Sequence, residues 1–593
     1  MPAADSETLD VALDLSSGYG SESGVAALTD GLFGLRVMML RTLMSCTEDV
    51  RPDLALELAA AFRVLADLQL EHPGVVSDML CYPHTGPWLN RALTSTTGAD
   101  HSSAAEFPVE AELAYLGWLA AAAAAVCRPH GRMALRVRDG VIMLPGLGLA
   151  RLDEPGYCGP CEMNWNADGE LTFTGDFGSM RIRSSATESD PRWLPLRFVR
   201  GGDTEPPVLL DDLDPYRVVP DLGATPRLDA AQSRQWQADF ASAWALLTHE
   251  MPACATPMRK ALRSLAPLTT HPVVDATSHT AAIGVGCVYT TAPADPCQLA
   301  LTLVHEIQHT KFNLLIDQVE LFTADPEPRF YAPWRDDPRP IHGLMHGIYA
   351  FFGVTDFWRT HRHSECHGEL QSHADFELWR LQVGMAIDQA LASGLLTEAG
   401  TRFLTTLSAA MRPWARERVP AAARGAARWS ATAHETFWRV RNLVPNPDVV
   451  ATLAAGWWLD RPITVEVKST AAPQEKIPDS HRRLPLAALL KIPGGRALTA
   501  SNEVQHTSAD RALLSGYLSE ALARYSGELR DDPLRPQAWA GLAVSLPKLY
   551  GDNAFPVLRD HPEVAAHVYR VVGPEVEPVP LLRYLSTSAV GAP

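Results

Sequence analysis

The chain has 593 residues, and at about 150 residues per domain it has room for roughly three or four structural units. Apolar residues make up 46% and charged residues 20%, a globular composition far from that of a disordered chain. Lysine and arginine number 51 against 69 aspartates and glutamates, a net charge of −18. That balance disfavours a nucleic-acid-binding surface, because phosphate neutralisation needs a basic field. The longest apolar run, Leu113 to Val126, is half alanine and falls short of the about 20 strongly apolar residues of a membrane span. The acidic N-terminus lacks the basic start of a signal peptide, and nine scattered cysteines suit a reducing compartment better than a disulfide framework. The expectation is a cytoplasmic protein with no membrane or nucleic-acid partner.

Residues 1–130 read as an N-terminal helical region. Apolar residues recur at three- and four-residue spacing over Leu54–Leu70, and Glu110–Val126 forms a second, alanine-rich helix. From 131 to 225 short apolar runs alternate with Gly, Pro and Asp, which predicts a β-rich unit. Within it Asp139-Gly140 carries a two-residue hairpin signal. Residues 226–465 return to helix with a Trp- and His-rich middle. In the last region, 466–593, Thr470–Arg483 reads as a linker, and Tyr517–Leu529 with Pro536–Leu546 reads as one helical hairpin, too little for a repeat array. The expected fold class is α+β, predominantly α-helical, a multi-unit chain with a β-rich segment before a helical metal-binding domain.

The chemistry lies in Asp295–Phe322 (DPCQLALTLVHEIQHTKFNLLIDQVELF). Asp295 is placed to cap a helix and Pro296 to open it, with Leu299, Leu303, Ile307 and Leu314 or Leu315 forming a buried stripe. This helix carries His305-Glu306-Ile307-Gln308-His309. Residues four apart lie one turn along the same face, so both imidazoles can bind one metal ion, while Glu306 points to the side as an outer-sphere base. A metzincin would continue with glycine at 312 and histidine at 315, where the chain has Phe312 and Leu315. A gluzincin would need a later glutamate, for which Glu365 and Glu369 are available.

A second stretch, Tyr331–Gly353 (YAPWRDDPRPIHGLMHGIYAFFG), holds His342 and His346 at the start of a helix, with Arg335 and Arg339 in the Pro-rich turn before it. A metal bound to a dicarboxylate would use such a set, one histidine as a ligand and one forked guanidinium on the distal carboxylate. A solvated surface turn is the plainer alternative. Together, LVHEIQHTKFNLL and YAPWRDDPRPIHGLMHGIYAFFGVTDFW resemble the bacterial HExxH-type peptide-modification proteins, which include 2-oxoglutarate-dependent peptide β-hydroxylases. The resemblance is strongest over about 275–445, including His434 and Trp438–Asn442. It is weaker at HPGVVSDML near residue 72, at LDDLDPYR (210–217) and in the C-terminal helices.

What the resemblance implies is a mononuclear non-haem iron(II) dioxygenase. Such an enzyme uses 2-oxoglutarate and O₂ to hydroxylate a side-chain Cβ in a ribosomally synthesised precursor peptide. Carried onto this chain, His305 and His309 are iron ligands, with His346, or as second choice His342, as the third. Glu306 is then an acid beside the metal, and Arg339 or Arg335 holds 2-oxoglutarate. The alternative is a zinc-dependent metallopeptidase with Glu306 as general base.

Other signals carry less. Cys158-Gly-Pro-Cys161 spells a redox motif, but the residues after it read as a hairpin, whereas that chemistry needs a helix starting at the first cysteine. Cys287 and Cys297 are expected to fill apolar space, with 284–291 a strand walling the metal helix, and Trp358, Trp379, Trp414 and Trp438 to be core aromatics.

Overall fold

The computed structural model describes residues 6–97, 109–184, 190–217, 225–269, 278–279, 284–364, 369–471, 507–588 and 590–591. The fold is predominantly helical α+β, with 61% of the described residues in helix and several small sheets. It divides into two compact units, one of residues up to Leu15 with Tyr19–Val319, the other of Ser16–Gly18 with Glu320–Pro593.

The first unit opens with helices α1 (Ser6–Ser16), α2 (Glu22–Val50), α3 (Pro52–Glu71), α4 (Pro73–Leu80), α5 (Thr85–Thr97) and α6 (Val109–Cys127). The Ser21 hydroxyl accepts the Gly24 amide at 3.0 Å and caps α2, while proline opens α3 and α4, where its missing N–H costs nothing. Among the described residues, nine strands follow: β1 (Gly131–Arg136), β2 (Val141–Leu144), β3 (Gly148–Arg151), β4 (Pro160–Trp165), β5 (Glu170–Gly175), β6 (Gly178–Arg183), β7 (Trp193–Pro195), β8 (Arg197–Val199) and β9 (Val208–Leu210).

Asp139 (φ 50°) and Gly140 (φ 72°) form the tight turn that their dipeptide predicts. Arg138 and Val141 exchange backbone bonds of 3.1 and 2.9 Å across it. Beyond that pair the strands part. β1 pairs antiparallel with β4 in the sheet β1-β4-β5-β6, and β2 with β3 in the sheet β2-β3-β7. Leu135, Ile142, Met163 and Phe173 from these sheets pack in one core with Trp88, Tyr115 and Trp118 from the helices. Each such fully buried side chain contributes about 1.5–3 kcal/mol. Helices α2 and α6 are long and apolar enough to pass for membrane spans, yet 72% of the apolar window of α6 is buried inside the protein, against 33% for α2. α6 is apolar all round because α3, α5, β1 and β2 pack around it.

A third sheet, in the order β11-β12-β10-β9-β8, includes β10 (Ser264–Leu268), β11 (Ser278–His279) and β12 (Cys287–Thr291). β10 runs parallel to both β9 and β12, with Ser264 opposite Leu209 and Cys287. Both central strands are buried at every position, so they read in sequence as unbroken runs without alternation. Helices α7 (Ala230–Glu250) and α8 (Pro252–Ala261) precede β10, and α9 (Pro296–Ile316) follows β12.

The acidic stretch after β9 is interior. Asp211 accepts from Tyr82 Oη at 2.6 Å and lies 3.1 Å from His84 Nε2, and Asp214 accepts from Tyr115 Oη at 2.7 Å. Tyr216 Oη donates to Glu112 at 2.7 Å and accepts from Arg138 at 2.8 Å. Burial alone would lower the basicity of His84, but the Asp211 carboxylate outweighs it and raises the group above its ordinary value.

In the second unit α10 (Ile341–His361) packs on α11 (Glu369–Leu391), and α11 on both α12 (Glu398–Met411) and α13 (Ala421–Asn442). α13 and α14 (Pro447–Trp458) join the C-terminal helices in a core that includes Tyr525, Trp539 and Tyr569. The expected helical hairpin is present as Leu518–Asp531 and Pro536–Tyr550. Arg439 of α13 grips Glu563 through two bonds of 2.9 and 2.7 Å. Most of the linker expected at Thr470–Arg483 lies outside the described residues.

Candidate metal centre

Helix α9 starts where the sequence places it. The Asp295 carboxylate accepts the Gln298 amide at 2.8 Å, and Pro296 occupies the first turn. Leu299, Leu303, Ile307, Leu314 and Leu315 are all buried. Lys311 is buried too, its Nζ donating to the Tyr19 carbonyl at 2.9 Å, and burial pushes its pKa down to about 8. β12 packs against α9 as expected.

On the accessible side of α9 the two imidazoles converge. The Nε2 atoms of His305 and His309 are 3.2 Å apart, with ring planes at 83° and centroids 4.7 Å apart. Two nitrogens at that separation, each about 2.1 Å from a shared ion, subtend about 100° at it, the angle of neighbouring coordination positions. The donor set therefore fits two sites on one ion. Glu306 is buried, with Oε1 4.0 Å from His305 Nε2, beside the two imidazoles. Among the described residues no group of three or more His, Cys, Asp or Glu is arranged to hold a metal ion. Glu365 and the side chain of Glu369, the glutamates a gluzincin would use, lie outside the described residues.

The other predicted site residues belong to the second unit. His342 and His346 stand one turn apart on α10, ring centroids 4.5 Å apart. His342 is open to solvent on one side, and partial desolvation together with the Arg339 guanidinium lowers its basicity. Arg335 and Arg339 are brought together by Asp337: Arg335 Nε donates to one oxygen at 2.7 Å and Arg339 Nη1 reaches the other at 3.4 Å. Burial alone would raise Asp337, but the two guanidiniums outweigh it and hold the carboxyl below its ordinary range. Burial and then the like charge of Arg335 lower the basicity of Arg339.

Two glycines shape this start of α10, a feature sequence reasoning passed over. A Cβ at Gly343 would meet Arg339 Nε at 2.7 Å, and one at Gly347 would fall inside the indole of Trp334. The doubled His-Gly of IHGLMHG thus opens a groove on the helix that receives Arg339 and Trp334. Trp334 stacks on Phe351 at 4.8 Å and 12°.

The signals expected to be structural are so. Cys161 lies in strand β4, not at a helix start, and burial pushes its thiol up to about 11. Cys158 is exposed and both cysteines are free. Cys287 and Cys297 are buried, as are Trp358, Trp414 and Trp438, while Trp379 is half-buried against Phe351. No protein-family model matches the chain, and no curated protein matches it.

Proposed function

We propose that the protein is an iron(II)- and 2-oxoglutarate-dependent oxygenase that hydroxylates a side-chain Cβ in a ribosomally synthesised precursor peptide. The observation that carries a metal centre is the His305–His309 pair, with nitrogens 3.2 Å apart on one helix face. The choice of iron and a keto acid follows from the sequence resemblance over about 275–445. In this reading a ferrous ion with 2-oxoglutarate and O₂ supplies the oxidising power for C–H hydroxylation. His346, or else His342, is the candidate third ligand, an assignment that rests on the resemblance. Arg339 and Arg335 are the candidates for the distal carboxylate of 2-oxoglutarate. Asp337 is shared by both guanidiniums while the loop's other carboxylate, Asp336, faces His434, so the Arg335–Asp337–Arg339 cluster carries a local positive excess that supports an anion there. Glu306, buried beside His305, orients polar ligands in the metal's outer sphere.

The zinc peptidase reading draws its support from the same buried Glu306, whose carboxylate lies 4.0 Å from His305 Nε2 and would serve as the general base. One experiment separates the two. Purified protein is given iron(II), 2-oxoglutarate, O₂ and a candidate precursor peptide, or zinc alone with the same peptide. The oxygenase reading predicts succinate and a peptide heavier by one oxygen atom, with iron only. Peptide fragments formed with zinc and no keto acid would support the peptidase instead.

A further inference from the structure

We infer that His434 is a positioning residue for the Arg335–Arg339 loop: held between the Tyr331 hydroxyl and the Asp336 carboxylate, its imidazole fixes the conformation in which that loop presents its two guanidiniums. The inference rests on the proposed role of those arginines in holding 2-oxoglutarate.

The loop is closed at its base and pinned from two helices. Phe330 and Arg339 exchange backbone hydrogen bonds, both 2.9 Å. From α11, Gln389 clamps Tyr331 at both ends of its peptide, Oε1 accepting the Tyr331 amide at 3.1 Å and Nε2 donating to its carbonyl at 2.8 Å. α13 supplies His434, Trp438 and Asn442, spaced four apart and so on one face. Asn442 Nδ2 donates to the Asp336 carbonyl at 2.7 Å, and the Trp438 ring packs 5.1 Å from that of Tyr331. His434 ties the start of the loop to its middle, with Nδ1 2.7 Å from Tyr331 Oη and Nε2 3.2 Å from Asp336 Oδ1.

The proton positions follow from the surroundings. Burial, then the nearby Glu435 and Asp336 carboxylates, raise the Tyr331 phenol well above its ordinary value, so it keeps its proton and donates to Nδ1. The other ring nitrogen, Nε2, faces Asp336. Tyr331, Asp336 and Asn442 are all buried, so each bond is made away from water, where losing a partner is expensive.

Such anchoring has work to do here. Arg335 and Arg339 carry like charges onto one carboxylate, Asp337, and their repulsion favours spreading the loop. Asp336 is the direct neighbour of both Arg335 and Asp337, so fixing its carboxylate and its carbonyl fixes the stems of that cluster. The pair stays assembled with a net positive charge because the frame around it is rigid, which is the preorganisation a small dianion needs.

The test uses the full chain and two readouts, amide hydrogen exchange at Tyr331 and Arg339, and calorimetric binding of 2-oxoglutarate in anaerobic iron(II) buffer. His434→Ala should speed exchange at both amides and weaken 2-oxoglutarate binding by roughly tenfold or more. His434→Gln, whose amide can accept from Tyr331 and donate to Asp336, should recover most of both. Tyr331→Phe, which keeps the ring and removes only the hydroxyl, should shift both readouts in the same direction and serves if the alanine variant does not fold. Wild-type exchange rates in His434→Ala or Tyr331→Phe would overturn the inference, as would faster exchange with unchanged 2-oxoglutarate affinity. If the wild-type protein itself does not bind 2-oxoglutarate, the functional reading fails, while exchange at residues 331 and 339 still decides whether His434 orders the loop.

Discussion

The groove on α10 makes a paired prediction in which two identical substitutions one turn apart differ in effect. In Gly347→Ala the new methyl would overlap the Trp334 indole, a rigid ring stacked on Phe351 at 4.8 Å. The ring must leave its seat, at a cost of about 1–3 kcal/mol for overpacking and about 0.5–1.5 kcal/mol for the lost stacking. The gain from replacing a helical glycine with alanine is about 1 kcal/mol, so a net loss of about 1–3 kcal/mol remains. In Gly343→Ala the methyl meets the flexible side chain of Arg339 at 2.7 Å. That side chain can swing aside, so stability should stay within about 1 kcal/mol of wild type while the guanidinium moves. Urea unfolding of the two variants measures the first effect, and 2-oxoglutarate binding the second. A Gly347→Ala protein as stable as wild type, or a Gly343→Ala protein with unchanged 2-oxoglutarate affinity, would refute the reasoning.

Further outcomes follow from buried groups. Burial alone would raise Glu563, but His561 and Arg439 outweigh it and hold the carboxyl down to about 2. A depressed carboxylate adds stability that is complete above the ordinary value near 4.5 and lost as pH falls toward 2, about 3 kcal/mol in all. Glu563→Gln should therefore destabilise the protein near neutrality by about 3 kcal/mol and flatten the acid limb of stability against pH, and an unchanged acid limb would contradict the assignment. Iodoacetamide at pH 8 should label exposed Cys158 well before buried Cys161, whose thiol is pushed up to about 11; mass spectrometry showing equal rates would reopen the redox reading. Tyr115→Phe removes the hydroxyl that donates to buried Asp214 and should lower the unfolding free energy by about 1–3 kcal/mol; a smaller loss would mean the network after β9 is not a stabilising one.

Much of the local structure is legible in the sequence because its causes are local. Asp295-Pro296 fixes the start of α9, Asp139-Gly140 fixes a tight turn, and the spacing of the HEIQH histidines fixes which side chains meet. The partner of β1 is not local. The turn suggests β2, yet β1 pairs with β4, because alternating burial says that a strand has a buried face and not which strand lies beside it. The surroundings of the LDDLDPYR stretch are likewise not local. Of its three aspartates, Asp211 meets Tyr82 and His84 from the turn before α5, and Asp214 meets Tyr115 of α6, all far earlier in the chain. The arginine cluster was visible as residue types, whereas its frame of Gln389, His434 and Asn442 depends on packing between helices.

The central claim is that His305 and His309 together grip a ferrous ion. Anaerobic equilibrium dialysis against iron(II), with circular dichroism as the check on folding, tests it directly. The account predicts one ion bound per wild-type chain, and that ion lost in both His305→Ala and His309→Ala with the helical spectrum unchanged. Full iron binding by either variant would contradict it.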